Sequence, residues 1–460
     1  MNRKFAGKIG VIAILTLLLL IPLGMVKQVI WERSSYRHQA KESIAQSWTG
    51  AQKFLGPVLV QPYVEHHQRK LWDSKKENYR LEAYTESKKL YLLPEQLLVT
   101  GTVNTEERSR GIYTLPVYEA KLKVEGGFSN QALLDVARSS KVSIDWQRPY
   151  LAVAVSDIRG VVTQPQLHWA GRDYEFGSGS GLAELGGMHV RVTALDTDKA
   201  AQYRFDFEVD LHGMEQLDFS PVGKSTEVNL SSDWPHPSFT GRYLPAQRTI
   251  TDSSFDARWQ VSSFSSEMVQ TVEALARGQV GDFTANTFGV SLINAVDVYQ
   301  QTERSAKYGV LFVSLTFVVF FLFEVMKGLR LHPMQYLLVG LALTVFFLLL
   351  ISLAEHIPFA AAYAIAAVAS VGVIGIYISE VLQSRPRAAA FSAMLALLYA
   401  MLFAILRSED NALLMGSVLL FGMLTLVMVV TRKLDWYGVA EQMTRQTVLL
   451  GEDDKAEMRQ

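Results

Sequence analysis

The sequence predicts an α + β membrane protein with six transmembrane helices, one N-terminal and five C-terminal, and a large, mainly antiparallel β domain between helices one and two. Three features predict this class: long stretches without a charged residue, basic residues at alternate ends of those stretches, and two-residue alternation of apolar and polar side chains in the block between the first two. Hydrophobic residues make up 49% of the chain and charged residues 19%, which is atypical of a soluble protein.

Six uncharged stretches have about the length of a membrane-spanning helix, since a hydrocarbon layer ~30 Å thick requires roughly 20 residues at ~1.5 Å each. They cover residues 9–26, 308–323, 336–354, 359–378, 388–406 and 412–430. Five such stretches in the C-terminal third of the chain argue against buried helices of a soluble core.

The first stretch also has features of a secretory signal peptide, because Arg3, Lys4 and Lys8 precede a leucine-rich run. Cleavage requires small residues after that run, whereas residues 27–31 read Lys-Gln-Val-Ile-Trp. We therefore expect an uncleaved helix that anchors the chain.

Basic residues at helix ends predict the orientation, because the cytoplasmic ends of membrane helices are enriched in Lys and Arg. The N-terminal tail is basic, and the same side then receives three further basic pairs: Lys327 with Arg330, Arg385 with Arg387, and Arg432 with Lys433. Both termini are therefore expected in the cytoplasm. The expected parts are a tail with the first helix (1–30), an exported domain (31–307), a five-helix membrane domain (308–430) and a cytoplasmic tail (431–460).

The exported block is predicted to be rich in β-strands. Residues 203–212 alternate strictly between apolar and charged or polar side chains, and residues 118–125 and 255–261 repeat the pattern. A period of two places one kind of side chain on each face of a strand. Strands with one buried and one wet face are typical of antiparallel sheets, so we expect a sandwich or a layered antiparallel assembly.

Composition and motifs exclude several classes of function. The 44 Lys and Arg balance the 45 Asp and Glu, so no general attraction to nucleic acid is expected. The absence of cysteine removes thiol catalysis, thiolate metal sites and disulfides. No Gly-x-Ser-x-Gly or His-Glu-x-x-His motif occurs, and no P-loop follows the glycine-rich residues 177–187. We expect no cofactor and no enzymatic reaction.

Glu65, His66 and His67 are the best candidates for metal ligands. Successive side chains on a strand point to opposite faces, however, and no further ligand lies at a readable spacing. A solvated strand is therefore favoured over a metal site.

Ionisable residues near the membrane fall at the ends of the predicted helices: Glu324, His332, Glu355, His356 and Glu380. Charges at membrane depth are costly and usually functional, whereas charges at helix ends are reached by water and headgroups. We expect all five at the membrane edge, which leaves transport as a weaker alternative.

Residues 232–245 form the most distinctive exported segment, Ser-Asp-Trp-Pro-His-Pro-Ser-Phe-Thr-Gly-Arg-Tyr-Leu-Pro. Prolines on both sides of a histidine restrict the backbone. A rigid connection between strands is favoured, and a recognition loop is the alternative. The candidate residues of this segment are Asp233, Trp234, His236, Phe239 and Arg242.

The same segment, with Asp-Trp-Pro-His-Pro-Ser-Phe at 233–239, resembles the CreD family of bacterial inner-membrane proteins. Further stretches are similar to that family in order: 46–57, 106–108 with 111–114, 331–340 and 435–437. The resemblance extends from about residue 33 to 437. Residues 65–90 and the tail after residue 438 depart from it.

The resemblance implies a protein under two-component control that is associated with colicin tolerance, envelope integrity and β-lactam stress. It implies no reaction and no catalytic or ligand-binding residue. We therefore expect a non-enzymatic, multi-pass inner-membrane protein whose periplasmic domain contacts another envelope protein or a cell-wall component.

Two alternatives stay open: a transporter or permeability-modifying channel, and a periplasmic enzyme that acts on the cell wall. A membrane cavity lined by Glu324, Glu380 or His332 would favour transport. A periplasmic cleft with two facing carboxylates would favour the enzyme.

Overall fold

The computed structural model describes residues 3–73, 78–182, 185–276, 285–292, 298–327, 331–407 and 412–432. The chain divides into a β unit, His38–Ala295, and a helical unit, Met1–Arg37 with Val296–Gln460. Of the basic residues that predict orientation, Arg330 and Lys433 lie outside the described residues, as does the expected tail beyond Arg432.

The uncharged stretches predicted to span the membrane are helical where the structure describes them, except at the single turn residues Leu19 and Tyr308. The helices are α1 Arg3–Leu18, α2 Leu20–Ser47, α3 Gln131–Ser139, α4 Ser263–Ser266, α5 Met268–Ala276, α6 Val298–Lys307, α7 Gly309–Lys327, α8 Pro333–Ala354, α9 Phe359–Leu382, α10 Arg385–Arg407 and α11 Ala412–Thr431.

Within the described residues, four helical segments are long and apolar enough to cross a membrane: Gly10–Ser47, Pro333–Ala354, Phe359–Leu382 and Arg385–Arg407. The pair α6 and α7, bent by 43°, would make a fifth span if it crosses as one. The last stretch is a shorter apolar helix, Leu414–Val429. Length and composition thus support four or five spans, and the predicted sixth stays a prediction.

The N-terminal helix extends well beyond the predicted stretch 9–26. Between α1 and α2 it is interrupted at Leu19, near Pro22. Proline lacks a backbone N–H and is tolerated without distortion only in the first turn of a helix. Beyond Gly24 the chain contains no glycine or proline until Gly50, so nothing in the sequence ends the helix before Ser47.

The β unit contains these strands: β1 Gln52–Asp73, β2 Asn78–Leu92, β3 Gln96–Arg110, β4 Tyr113–Ser129, β5 Ser143–Trp146, β6 Tyr150–Val155, β7 Gln166–Trp169, β8 Arg172–Glu175, β9 Gly177–Ser178, β10 Gly187–Arg191, β11 Gln202–Met214, β12 Gln216–Phe219, β13 Ser225–Ser232, β14 Pro237–Gly241, β15 Gln247–Ile250, β16 Phe255–Ser262 and β17 Phe288–Leu292.

These strands form two sheets. In the described residues the first sheet has nine strands, ordered β14-β17-β12-β1-β6-β10-β9, with β2 and β5 also paired to β1. The second has eight, ordered β15-β16-β13-β3-β4-β11-β7-β8. Each sheet includes a parallel pair, β1 with β12 and β3 with β13, so the unit is mixed rather than wholly antiparallel. Parallel pairing requires a long return of the chain, and more than 100 residues separate the two strands of each pair.

Apolar side chains of both sheets join in one buried core that includes Phe54, Phe219 and Trp259. The predicted alternation is confirmed in β11, where Phe205 and Phe207 are buried and Asp206 between them is more exposed. Because one face of each strand packs into this core, only the other face is available at the surface.

Candidate functional site

The segment 232–245 crosses from one sheet to the other. It leaves the second sheet at the end of β13 and enters the first as β14, which pairs antiparallel with β17. Four of its residues therefore lie in a turn, 233–236, and the next five in a strand. The sequence predicted a rigid connection but not that five of its residues form a strand.

Contacts within this segment are those of a fixed connection. Asp233 accepts hydrogen bonds from the backbone N–H and the hydroxyl of Thr105, at 2.9 and 2.8 Å. The side chain of Trp234 is 8% exposed, and its indole N–H donates to the carbonyl of His236 at 3.1 Å. The imidazole of His236 is exposed. The turn thus presents His236 while Asp233 and Trp234 hold the backbone.

The other two candidate residues of the segment lie farther along. Phe239 packs edge-on against Phe255 and Trp259 of β16, between the sheets. The backbone N–H of Arg242 donates to the carbonyl of Thr287, while its side chain is exposed.

A buried carboxyl group lies beside β14. Asp218 on β12 is 3% exposed and accepts hydrogen bonds from the amide of Gln216 at 2.7 Å and the hydroxyl of Thr240 at 3.2 Å. Burial raises the pKa of the Asp218 carboxyl above its usual range, and the two hydrogen bonds oppose that shift. Nothing in the neighbouring sequence distinguishes Asp218 from an ordinary exposed strand residue, so the sequence did not predict its burial.

A polar groove lies on the outer face of the second sheet, across β3, β13, β16 and β15, with a volume of about 360 Å³. Strand register sets its lining, because residues paired across strands share a face. One row across the four strands is Thr100, Asn229, Arg258 and Gln247, and the next row on that face is Thr102, Ser231, Asp256 and Thr249.

Two groove residues are held in place by Glu227. Its carboxylate accepts hydrogen bonds from the amide of Asn229 and from the guanidinium of Arg258, both at 2.9 Å. These bonds hold the pKa of Glu227 below its usual range, and the bond from Asn229 has the larger effect. The Nε atom of Arg258 is buried and has no hydrogen-bond partner among the described residues. The side chain as a whole is 43% exposed, so other N–H groups of the guanidinium are accessible from the groove.

The strand at the border of the groove, β15, also contacts the segment 232–245 through Arg248, whose side chain alternates with Gln247 and Thr249 and so points to the other face. The guanidinium of Arg248 lies 5.9 Å from the ring centroid of Phe239. Sequence reasoning missed the groove. Polar Glu227, Asn229 and Ser231 alternate with buried residues in β13, and this alternation is the only signal the sequence offered.

The metal candidates of the sequence are partly brought together. Glu65 and His67 share a face of β1, and Glu86 on β2 lies opposite Glu65, so that their ligand atoms all lie within 4.8 Å of one another. His66 points to the other face, as alternation predicts. The third ligand was missed because it depends on the register of β1 with β2.

A lysine ammonium lies in this cluster. Lys88 Nζ is 2.8 Å from Glu65 and 3.2 Å from Glu86. The hydrogen bond from Lys88 is the main reason that the pKa of Glu65 is lowered. These carboxylates can ligate a divalent cation only if the lysine moves away.

In the helical unit, Glu324 differs from its expected position at a water-exposed membrane edge. It lies three residues before the end of α7, but its side chain has no exposed surface. Its carboxylate accepts hydrogen bonds from the ammonium of Lys8, the backbone N–H of Leu331 at 2.9 Å and the hydroxyl of Tyr336 at 2.8 Å. Because a buried carboxylate must be paired, a helix end is not enough to predict exposure.

Glu355 is also paired. Its side chain is 7% exposed, Arg33 Nε lies 3.6 Å from Oε1, and the hydroxyl of Tyr299 donates to the same oxygen at 3.2 Å. Lys8 and Arg33 lie 25 residues apart in the sequence. That separation corresponds to about 37 Å along a helix, close to the thickness of a bilayer.

The remaining residues expected at the membrane edge are exposed. His332 caps α8 by accepting the N–H of Met334 at 3.2 Å. The imidazole Nδ1 of His356 bonds to the carbonyl of Ser352 at 3.1 Å. Glu380 is exposed near the end of α9.

A cavity of about 300 Å³ lies beside the buried carboxylate. It is lined by Lys8, Val11, Ile12, Leu15, Leu331, Pro333 and Tyr336. Glu324, Glu380 and His332 do not line it, so it is not the kind of cavity that would favour transport.

These features define a multi-pass membrane protein whose large two-sheet β unit carries an open polar groove. Residues 4–437 match the family model described as inner membrane protein CreD. The inner membrane protein CreD of Escherichia coli strain K12 is 38% identical over 429 residues, which cover 92% of this chain and 91% of that protein. The chain belongs to the CreD family of inner membrane proteins, as its sequence motifs predicted.

Proposed function

We propose that this chain is a non-enzymatic inner-membrane protein that supports the cell envelope under stress, with both termini in the cytoplasm and the β unit in the periplasm. The β unit binds a hydroxyl-rich cell-wall glycan in the polar groove. The observation that carries this proposal is the pair of four-residue polar rows, which includes the partly exposed guanidinium of Arg258.

The chemistry of the groove favours a glycan. Hydroxyl and amide side chains both donate and accept hydrogen bonds, as sugar hydroxyls do. The side chain of Arg258 is 43% exposed, so a ligand oxygen can accept from its accessible guanidinium N–H groups. Because Asn229 and Arg258 are held by Glu227, less side-chain entropy is lost on binding.

Two observations weigh against the alternatives. Glycan hydrolysis commonly requires a pair of carboxyl groups flanking the scissile bond, whereas Asp256 is the only carboxylate among the groove's lining residues. Glu324, the most buried ionisable group of the described helical residues, is fully paired rather than facing a pathway. Binding therefore accounts for the groove better than catalysis or transport.

The experiment is co-sedimentation of the full-length protein, in lipid nanodiscs, with purified cell-wall sacculi. Arg258→Met keeps most of the side-chain stem but removes the donors, and we expect binding about tenfold weaker. Thr102→Ala removes one exposed hydroxyl and should weaken binding less. Glu208→Gln is the matched control, since Glu208 lies on β11 in the same row beyond Lys123.

Two results would overturn the glycan proposal: no sedimentation of the wild-type protein, or equal sedimentation of Arg258→Met. Capture of an envelope protein in place of sacculi would point to a protein partner in the same groove.

The orientation is tested separately with reporters that are active only when exported. Fusions after residues 150, 357 and 409 should be active, and fusions after 330, 386 and 440 inactive, because the basic clusters alternate in that way. An active reporter after Arg387 would contradict the six-span topology.

A further inference from the structure

The long hairpin of β1 and β2 extends beyond the sheet to which it belongs. The two strands pair continuously from Leu59 with Leu92 to Asp73 with Asn78. On the other side of β1, β5 pairs only with residues 63–66. Among the described strands only β2 pairs with β1 beyond residue 66, so residues 67–73 and 78–84 form a free two-stranded ribbon.

One face of this ribbon is apolar and aromatic. Trp72 lies opposite Tyr79, and Lys70 lies opposite Leu81, so these four side chains share a face. The exposed fractions are 55% for Trp72, 68% for Tyr79 and 60% for Leu81. We call these three residues with Lys70 the aromatic face. The two rings meet edge to face, with centroids 5.1 Å apart, and no sheet or helix among the described residues covers them.

The opposite face carries charged residues together with Leu71 and Tyr84, which are 42% and 44% exposed. Arg69 pairs with Glu82 at 2.6 Å, and Arg80 is exposed opposite Leu71. The ribbon has three basic and two acidic residues, and the sequence of the connection at 74–77 adds two lysines and one glutamate, whereas the whole chain has a net charge of −1. The ribbon is therefore a local positive region with exposed aromatic rings.

We propose that this ribbon docks on the surface of an anionic phospholipid bilayer. Trp72 and Tyr79 enter the headgroup region, where tryptophan and tyrosine concentrate because one part of each ring system is apolar and another part forms hydrogen bonds. Leu81 reaches the acyl boundary, and Lys70 and Arg80 contact lipid phosphates.

A bilayer fits the ribbon better than a protein groove does. Both faces of the ribbon are exposed, and a headgroup layer can solvate the charged face while it accepts the aromatic face. The positive charge complements the negative surface of an anionic membrane.

The test uses the full-length protein in lipid nanodiscs with a single environment-sensitive fluorophore. The chain has no cysteine, so Ala83→Cys supplies one attachment point. Ala83 is exposed and lies on the aromatic face, opposite Gln68. In one experiment the nanodisc contains a lipid with a nitroxide quencher, and in a second experiment added vesicles contain it. Both bilayers are made of phosphatidylcholine, with or without phosphatidylglycerol.

We expect a blue shift of the emission and quenching by the nitroxide lipid in at least one of the two bilayers, only when phosphatidylglycerol is present. The double variant Trp72→Ser with Tyr79→Ser, and separately Lys70→Glu, should weaken binding to the vesicle or disc lipid about tenfold. Leu244→Ser is the matched control, since Leu244 is 71% exposed but lies outside the ribbon. All variants should melt as the wild type does, because the altered side chains are exposed.

Three results would overturn the proposal: emission that no bilayer changes, equal responses to neutral and anionic lipid, or wild-type behaviour of both ribbon variants. Fluorophore self-quenching that depends on protein concentration in the absence of anionic lipid would overturn it as well, in favour of contact between two copies of the chain.

Discussion

The hydroxyl of Tyr336 donates a 2.8 Å hydrogen bond to Oε2 of Glu324, a side chain with no exposed surface. The other oxygen, Oε1, accepts from the backbone of Leu331 and from the ammonium of Lys8. One carboxylate therefore joins α1, α7 and the start of α8. The N-terminal helix is held to the C-terminal helices by a charge interaction in addition to apolar packing.

Replacing Lys8 by Met should destabilise the helical unit, because it leaves the buried carboxylate of Glu324 without its cation. Loss of one partner of a buried ion pair costs ~3–5 kcal/mol, and we expect the lower end because Lys8 is itself 24% exposed. Thermal melting in mild detergent and abundance in membranes measure the effect.

Adding Glu324→Gln to Lys8→Met should recover most of the lost stability, since no buried charge is then left unpaired. Lys27→Met, at an exposed position of α2, is the control and should melt as the wild type does. Wild-type melting of Lys8→Met would show that the pair contributes nothing.

Asp218→Asn should stabilise the β unit at neutral pH. Burial raises the pKa of Asp218 in the folded protein above that in the unfolded chain, so the folded state binds a proton more tightly and the ionised carboxylate opposes folding. An uncharged amide removes this cost. The hydroxyl of Thr240 can accept from the new amide, so the hydrogen bonds are kept.

The advantage of Asp218→Asn should shrink as the pH falls through the raised pKa, because the wild-type carboxyl is then protonated in the folded state. Melting curves of the full chain over a pH series measure this convergence. Asp145→Asn, at an exposed position of β5, is the control. A variant less stable than wild type at neutral pH would contradict the account.

Neither chelators nor zinc should change the melting of the wild-type protein, because the ammonium of Lys88 lies between Glu65 and Glu86. Lys88→Met removes that cation and should make melting respond to zinc, since Glu65, His67 and Glu86 then offer three free ligands. Stabilisation of the wild type by zinc would mean that the lysine is displaced. Lys89→Met, on the other face of β2, serves as the control.

Trp234→Ala and His236→Gln should have different effects. Trp234 is buried, so its truncation should cost ~3–5 kcal/mol and lower the abundance of the protein. His236 is exposed, so His236→Gln should accumulate and melt normally. If the turn recognises a partner in the proposed envelope role, this variant fails to restore tolerance of envelope stress in a deletion strain. Full complementation by His236→Gln would leave the turn with a structural role only.

The candidate site was predictable only in part. The segment 232–245 was identified from its prolines and aromatic residues, which are local signals. The groove was not, because Thr100, Asn229 and Arg258 come from three strands far apart in the sequence and meet only through strand register. Glu86 was missed as a neighbour of Glu65 for the same reason.

The sequence by itself determined the apolar helices, the alternating strands and the family, because helix length, two-residue periodicity and short motifs are properties of neighbouring residues. Only the tertiary structure decided that Glu324 is buried against Lys8, 316 positions away, and that the polar rows of β3, β13, β15 and β16 form one groove. The physical reason is that the environment of a charge and the neighbours of a strand depend on packing between distant segments. Local spacing carries no information about either.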